Sequence, residues 1–217
     1  MDVVSTIKER RSIRKYKSTA VPLDLIYQIL DAAHWAPSAG NVQPWRFIVV
    51  RDGKTKDKIA QACHNQSWIG DAPVVIVVAV DPTEMFNAYG LRGTKLYSVQ
   101  ECGAAVAYMQ LAAQQFGFGS CWVSAFEENL LMDTLGLPEQ VRPQAVVTLG
   151  YPAEKVPAPR RRNLRDLLFF EKWGTKEIET SAFPVKKHVD NAAKSKIVSK
   201  IQKQKDALIK KIKQRFR

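Results

Sequence analysis

The chain has 217 residues, of which 46% are hydrophobic and 25% are charged, and its formal net charge at pH 7 is +12. This length and hydrophobic content suit one domain with a buried core, which excludes an intrinsically disordered protein. The longest apolar run, residues 73–80, is too short to span a bilayer, and the three cysteines lack the spacing of a disulfide framework or zinc site.

The first part of the chain predicts two helices, a loop and a strand. Asp2 can cap a first helix that ends near Arg10, after which the segment SIRKY runs extended. Pro22 fits the first turn of a second helix, which Pro37 ends. The loop SAGNVQP then leads into a strand at Trp45–Val50.

The rest of the chain predicts alternating helices and strands. In order these are helix Thr55–Cys63, strand Pro73–Val80, helix Val99–Phe116, strand 120–125, helix Glu127–Leu135 and strand Gln144–Gly150. Residues 81–98 are predicted to be irregular. The alternation alone suggests a doubly wound parallel sheet, although three or four strands are few for that fold and periodicity does not give strand direction.

The segment KERRSIRKYK holds six lysines and arginines and a single glutamate. Because alternate side chains of an extended segment share a face, Arg10, Ser12 and Arg14 should point one way, with Arg11 and Ile13 opposite. Two guanidiniums that flank a hydroxyl suit a phosphate group. The alternative is a solvated cationic face.

A second arginine cluster, Arg160–Arg162, follows the last predicted strand in a proline-rich loop. Loops at strand ends commonly carry binding residues. The two clusters could converge on one phosphate, and the sequence alone does not show that they do.

The loop APSAGNVQPW contains the short polar residues Ser38, Asn41 and Gln43, and Gly40 permits close approach of the backbone. One interpretation is turn chemistry, and the other is a polar rim for a planar heterocycle. The sequence leaves both open.

Several site types are set aside. The stretch GFGSCW departs from the dinucleotide fingerprint because Trp122 occupies the third glycine position and a strand follows. The three histidines show no metal-ligand spacing, and no nucleophile elbow is present. We therefore predict no metal site and name no catalytic side chain.

The motifs RRSIRKY and APSAGNVQPWRFIVV, at their spacing, resemble the start of the nitroreductase family of FMN-dependent oxidoreductases. The likeness continues through GDAPVVIVV, GAAVAYMQLAAQQFGFGSCWVS, LGLPEQVRPQAVVTLGYP and PRRRNL, and covers residues 1–173. It implies an α+β fold with a mainly antiparallel central sheet flanked by helices, which replaces the parallel sheet suggested by the pattern. It also implies an intertwined homodimer with two FMN sites, each built from both subunits.

The resemblance implies a role for particular residues. The cofactor-binding candidates are Arg10, Arg11, Ser12, Arg14, Pro37, Ser38, Ala39, Asn41, Asn65, Ser124, Ala125, Arg160 and Arg162. Residues 37–41 would come from the partner chain, and Arg160 and Arg162 would complete the phosphate pocket. Asn65 matches a position that bonds the flavin pyrimidine edge, and Ser124 and Ala125 match the backbone near flavin N5 and O4.

Arg14 is the cation expected at flavin N1 and O2, where it would stabilise the negative charge of the reduced ring. Some relatives also bring a lysine to that edge. In this chain the matching place is near Trp68, which is apolar.

The function implied by the resemblance is hydride transfer from NADH or NADPH through flavin N5 to a nitroaromatic, a quinone or a similar small acceptor, by a ping-pong mechanism. One alternative is a divergent flavin enzyme of the same fold that performs reductive dehalogenation or flavin fragmentation. Another is a non-enzymatic protein that binds flavin or nucleic acid and acts through its basic tail.

We predict a flavin domain over residues 1–174 and a helical extension over residues 175–217. Residues 186–217 carry twelve lysines and arginines and two aspartates, which accounts for +10 of the net charge. The extension is expected to pack on the dimer as an amphipathic helix or to form a solvated end, and the alternative is a basic arm that binds nucleic acid or anionic lipid. The absence of an apolar signal-peptide segment and of a disulfide framework favours the cytoplasm.

Overall fold

The computed structural model describes residues 2–176. The chain divides into two compact units, residues 1–159 and 160–217, and the described part of the second unit contains a short helix at Leu164–Leu167. The predicted domain boundary at residues 174 and 175 lies within the second unit and stays a prediction. The apolar face predicted for the extension, residues 197–216, lies outside the described residues.

The first unit contains a sheet, its flanking helices and two short irregular helices. Its α-helices are α1 (Val3–Glu9), α2 (Leu23–His34), α3 (Gly53–Ala62), α4 (Trp68–Asp71), α5 (Thr83–Arg92), α6 (Ser98–Gln115) and α7 (Glu128–Leu135). Its strands are β1 (Trp45–Val50), β2 (Val74–Val80), β3 (Gly119–Val123) and β4 (Arg142–Gly150). A 3-10 turn covers Ala39–Asn41 and a π-helical turn covers Gly93–Tyr97.

The four strands lie in the order β1-β2-β4-β3, and all neighbouring strands are antiparallel. This confirms the antiparallel α+β fold that the family resemblance implied. The parallel sheet suggested by the pattern alone is wrong. Helices join β1 to β2 and β3 to β4, yet these connections return the chain in the opposite direction instead of making a parallel crossover.

Strand β2 forms the centre of the core, since all seven of its residues are buried. Val74, Ile76 and Val78 belong to one apolar cluster, which also contains side chains of α2 and α6. Val75 and Val77 belong to a second cluster on the opposite face, which contains side chains of α3 and α7. Burial on both faces explains why this strand is a continuous apolar run rather than an alternating one.

The predicted helix ends agree closely with the structure. The Asp2 carboxylate accepts a hydrogen bond from the Ser5 N–H, which confirms the predicted cap of α1. Helix α2 ends at His34, three residues before Pro37.

Residues 81–98, predicted to be irregular, are largely helical. Helix α5 begins after Pro82, bends where Gly90 adopts φ 58°, and continues through the π-helical turn into α6. Met85 is the single buried residue that α5 contributes. The weak apolar periodicity, together with Gly90 and Gly93, explains why the sequence pattern did not predict this helix.

None of the helices between residues 2 and 176 combines the length and the apolar character that a membrane crossing needs.

We expect Gly119→Ala to destabilise the protein by about 1–3 kcal/mol, because overpacking of a buried contact forces neighbouring atoms to shift. A methyl group at this position would lie 2.8 Å from side-chain carbons of the buried Ile13. Gly53→Ala is the matched control, since a methyl group there meets no atom within 4 Å. Urea denaturation measures both variants, and equal midpoints for the two would contradict the packing described.

Candidate functional site

The cationic segment, residues 10–17, lies extended between β3 and the residues that follow β4. The Ile13 N–H donates to the Ser120 carbonyl at 3.0 Å, and the Lys17 N–H donates to the Tyr151 carbonyl at 2.9 Å. Isolated bridges pair Ser12 with Ser120 and Tyr16 with Pro152. These bonds fix the backbone that carries Arg14, so its side chain starts from a defined place on the surface.

The predicted alternation of faces is present in this segment. Ile13 is buried, whereas Arg14 is exposed. Burial raises the pKa of the Cys121 thiol in β3, while the guanidiniums of Arg14 and Arg10 and a hydrogen bond with Ser12 act in the opposite direction. Ser12 lies against Ser120 of β3, and Arg10 and Arg14 flank it in the chain.

Glu154 holds the backbone of this segment from the side of the post-β4 loop. Its Oε1 atom accepts hydrogen bonds from the Arg14 N–H at 2.6 Å and from the Lys15 N–H at 3.0 Å. Sequence patterns do not reveal this residue, because a single glutamate in a loop belongs to no motif. Its role depends on a contact across about 140 residues of chain.

The Arg14 guanidinium lies over an aromatic ring. Its Cζ atom is 5.6 Å from the centroid of the Trp68 indole, a distance typical of a cation–π contact. Both side chains line an open cavity of about 770 Å³, together with Tyr16 and Glu154. This volume lies in the range of small-molecule sites.

Tyr16 lines this cavity and links the extended segment to β4. Its hydroxyl donates to the Ile13 carbonyl and lies 2.6 Å from the Thr148 Oγ1 in β4. Burial raises the pKa of the Tyr16 phenol well above its usual value of 10.0. The phenol therefore stays neutral and keeps these contacts at physiological pH.

Arg11 has a different place from the other arginines of the cluster. Its Nη1 atom donates to the carbonyl oxygens of Lys8 at 2.7 Å and of Arg10 at 2.8 Å. These contacts satisfy backbone acceptors at the C-terminal end of α1. Arg11 lines a separate cavity of about 350 Å³ beside Phe118 and Gly119. It does not line the cavity that contains Arg14, and its role in cofactor binding stays a prediction.

The loop after α2 has an unusual backbone. Gly40, Asn41 and Gln43 all have φ between 55° and 57°, in the left-handed region. The Ser38 Oγ accepts from the Gln43 N–H at 3.1 Å, and the Ser38 carbonyl accepts from the Asn41 N–H at 3.0 Å. The polar residues of this loop thus perform turn chemistry, as one of the two interpretations expected.

Glu101 in α6 anchors the same loop. Its side chain accepts from the Ala39 N–H at 2.8 Å through Oε1, and the residue is only 7% exposed. Its Oε2 atom is buried and has no hydrogen-bond partner among the described residues. Burial raises the pKa of this carboxyl above its ordinary value of 4.5.

The other candidates lie in loops outside the helices and strands. Asn65 is exposed and has φ 58° just after α3. Ser124 and Ala125 are exposed immediately after β3, and Ser124 lines a larger cavity of about 830 Å³. Pro37 is exposed in the loop after α2, and Arg160 and Arg162 are exposed in the second unit.

The chain was compared with known proteins. The family model described as "Nitroreductase family" matches residues 7–69 and 62–151. A protein of Methanothermobacter thermautotrophicus, with the provisional name NADH dehydrogenase/NAD(P)H nitroreductase, is 39% identical over 80% of this chain and 88% of its own length. An iodotyrosine deiodinase of Haliscomenobacter hydrossis is 30% identical over 69% of this chain and 79% of its own.

A solved structure described as an FMN-dependent nitroreductase from Clostridium difficile superposes with a TM-score of 0.65. It is 27% identical and covers 78% of this chain and 99% of its own. The match extends the agreement from sequence to the three-dimensional fold.

The buried Glu101 carboxyl predicts a dependence of stability on pH. Because its pKa is raised, the folded state binds this proton more tightly than the unfolded chain does. The contribution is complete below the unfolded pKa and is lost as the pH rises through the raised value. Glu101→Gln keeps an oxygen for the Ala39 N–H and removes the titration.

Relative to Glu101→Gln, the free energy of unfolding of the wild type should therefore fall as the pH rises from the ordinary pKa of a glutamate through the raised pKa of Glu101. Urea denaturation of both proteins across this range is the measurement. Parallel pH curves for the two proteins would rule out a titrating Glu101.

Proposed function

The chain belongs to the nitroreductase family of NAD(P)H-dependent flavin oxidoreductases, and we propose that it binds FMN and reduces a small nitroaromatic or quinone acceptor by a ping-pong mechanism. The observation that carries the proposal is the extended segment that holds Arg10, Ser12 and Arg14, which pairs with β3 so that Arg14 lines an open cavity beside Trp68. The solved relative named as FMN-dependent supports the choice of cofactor.

The residues present fit the proposed cofactor. FMN combines a phosphate dianion with a planar aromatic ring system. Arg14 and the Trp68 indole line one cavity, and the same extended segment carries a second guanidinium and a hydroxyl, of Arg10 and Ser12. When bound, FMN accepts a hydride at N5 and passes it to a second substrate. Arg10 and Ser12 would hold the phosphate, and Arg14 would face the N1 and O2 edge of the ring.

Arg14 has the clearest role in this chemistry. Its backbone N–H is held by Glu154 and its guanidinium by Trp68, so the positive charge is oriented before any ligand binds. A fixed cation stabilises negative charge better than a mobile one because little reorganisation is needed. The hydride-transfer step needs no side-chain acid or base, and we assign none.

The remaining candidates complete the proposed site. Asn65 would bond the pyrimidine edge, the backbone of Ser124 and Ala125 would lie near N5 and O4, and Arg160 and Arg162 would add charge at the phosphate. Residues 37–41 would come from the partner subunit of a homodimer. Contacts from Ser38 and Glu101 fix the backbone of this loop within its own chain.

A second candidate reaction is reductive dehalogenation by the same flavin, since one relative is named as an iodotyrosine deiodinase. The two reactions share the flavin and differ in the acceptor. Assays of the reduced protein with iodotyrosine and with a nitroaromatic distinguish them.

Purified protein should be yellow, and NADH or NADPH should bleach it in the absence of oxygen. A colourless protein that does not take up added FMN would contradict the proposal and favour a flavin-free binding protein.

We expect Arg14→Ala to lower the two-electron midpoint potential of the bound flavin by about 30–60 mV. This corresponds to the loss of one charge-assisted contact of about 1.5–3 kcal/mol to the reduced ring. Arg51→Ala, at an exposed arginine just after β1, is the control. An unchanged potential in Arg14→Ala would remove Arg14 from the proposed role.

We also propose that residues 175–217 form an extension separate from the flavin domain. A chain ended after Trp173 should keep its flavin and its NAD(P)H-driven bleaching. Loss of bound flavin in that shortened chain would place part of the extension in the flavin site, whereas loss of polyanion binding alone would identify it as a basic arm.

A further inference from the structure

The larger cavity, of about 830 Å³, lies apart from the cationic segment. On one side it is lined by α5 and the π-helical turn, including Phe86 and Lys95. On the other side it is lined by the start of β4 and by Ser124 and Phe126, which follow β3. Its size suits a small organic molecule.

Part of the cavity wall is apolar and uncovered. Phe86 is 52% exposed and Val99 is 47% exposed, although both are large hydrophobic side chains. Together with the partly buried Phe126 they give the cavity an apolar, partly aromatic surface. Such a surface in a cavity is typical of a site for a planar apolar ligand.

Of the three charged side chains that line the cavity, two pair with each other and Lys95 does not take part in that pair. Arg142 and Glu128 form a bidentate pair, with Nε–Oε1 at 2.6 Å and Nη2–Oε2 at 2.7 Å. The pair raises the pKa of Arg142 and lowers the pKa of Glu128, so both groups are charged and offset each other. Lys95 takes part in none of the ion pairs between residues 2 and 176, and it leaves the cavity lining with a charge of +1.

We propose that this cavity binds the electron acceptor and that Lys95 selects planar aromatic acceptors carrying an anionic group such as a carboxylate. The assignment rests on the proposed function, because Ser124 would lie beside flavin N5 and also lines the cavity. The aromatic wall accepts the ring, and the Lys95 ammonium pairs with the anion.

The reaction is balanced for a nitroaromatic acceptor. NAD(P)H would supply a hydride by way of the flavin, and the solvent would supply one proton. The nitro group becomes a nitroso group, and one of its oxygens leaves as water. Per turnover, one nitroarene, one NAD(P)H and one proton give one nitrosoarene, one NAD(P)+ and one water.

The test compares two acceptors of nearly equal shape, 4-nitrobenzoate and 4-nitrobenzamide, on the flavin-loaded protein. The readout is the ratio of kcat/KM for the anion to kcat/KM for the neutral amide. Lys95→Met should lower this ratio about twofold to fivefold, as expected for one exposed charge pair. Lys95→Arg should restore it, because arginine keeps the charge.

Lys54→Met, at an exposed lysine near the start of α3, is the matched control and should leave the ratio unchanged. An equal ratio in wild type and Lys95→Met would overturn the proposal, as would a fall of similar size in Lys54→Met.

Two further measurements separate failure of the inference from failure of the proposed function. Anaerobic bleaching by NAD(P)H tests the flavin half-reaction without any acceptor. Calorimetric titration with the non-reducible 4-aminobenzoate tests the cavity without turnover. Weaker binding of 4-aminobenzoate to Lys95→Met than to Lys95→Arg supports the site, and equal binding overturns it even if bleaching occurs.

Discussion

The candidate site depends on the hydrogen bonds that hold the extended N-terminal segment between β3 and the residues after β4. Without the bonds from Ile13 to Ser120 and from Lys17 to Tyr151, a run of cations would repel itself and spread into solvent. With them, and with Glu154 accepting from the backbone of Arg14, the cations are held at one edge of the sheet. Their concentration beside a cavity is what makes the surface suitable for an anionic cofactor.

That arrangement in turn requires a rigid sheet, which the burial of β2 provides. Its side chains pack alternately into two apolar clusters, so helices cover the sheet on both faces. Strand β4 pairs with β2 on one side and with β3 on the other, and β3 carries the N-terminal segment. The position of Arg14 is therefore linked through two strand pairings to the most buried part of the chain.

The sequence predicted features that depend on neighbouring residues and failed on features that depend on distant ones. The Asp2 cap, strand β1 and the alternation of Ile13 and Arg14 follow from local chemistry. The direction of β2 does not, because an apolar run reports burial on both faces and is equally compatible with a parallel sheet. Glu154 and Glu101 escaped notice because each acts on a backbone N–H far away in sequence.

The most direct test of the central claim is a crystal structure of the protein grown with FMN. The account predicts the phosphate against Arg10 and Ser12, and the Arg14 guanidinium about 3 Å from the N1 and O2 edge of the flavin ring. A flavin bound elsewhere, with Arg14 still resting on Trp68 and facing only solvent, would contradict it.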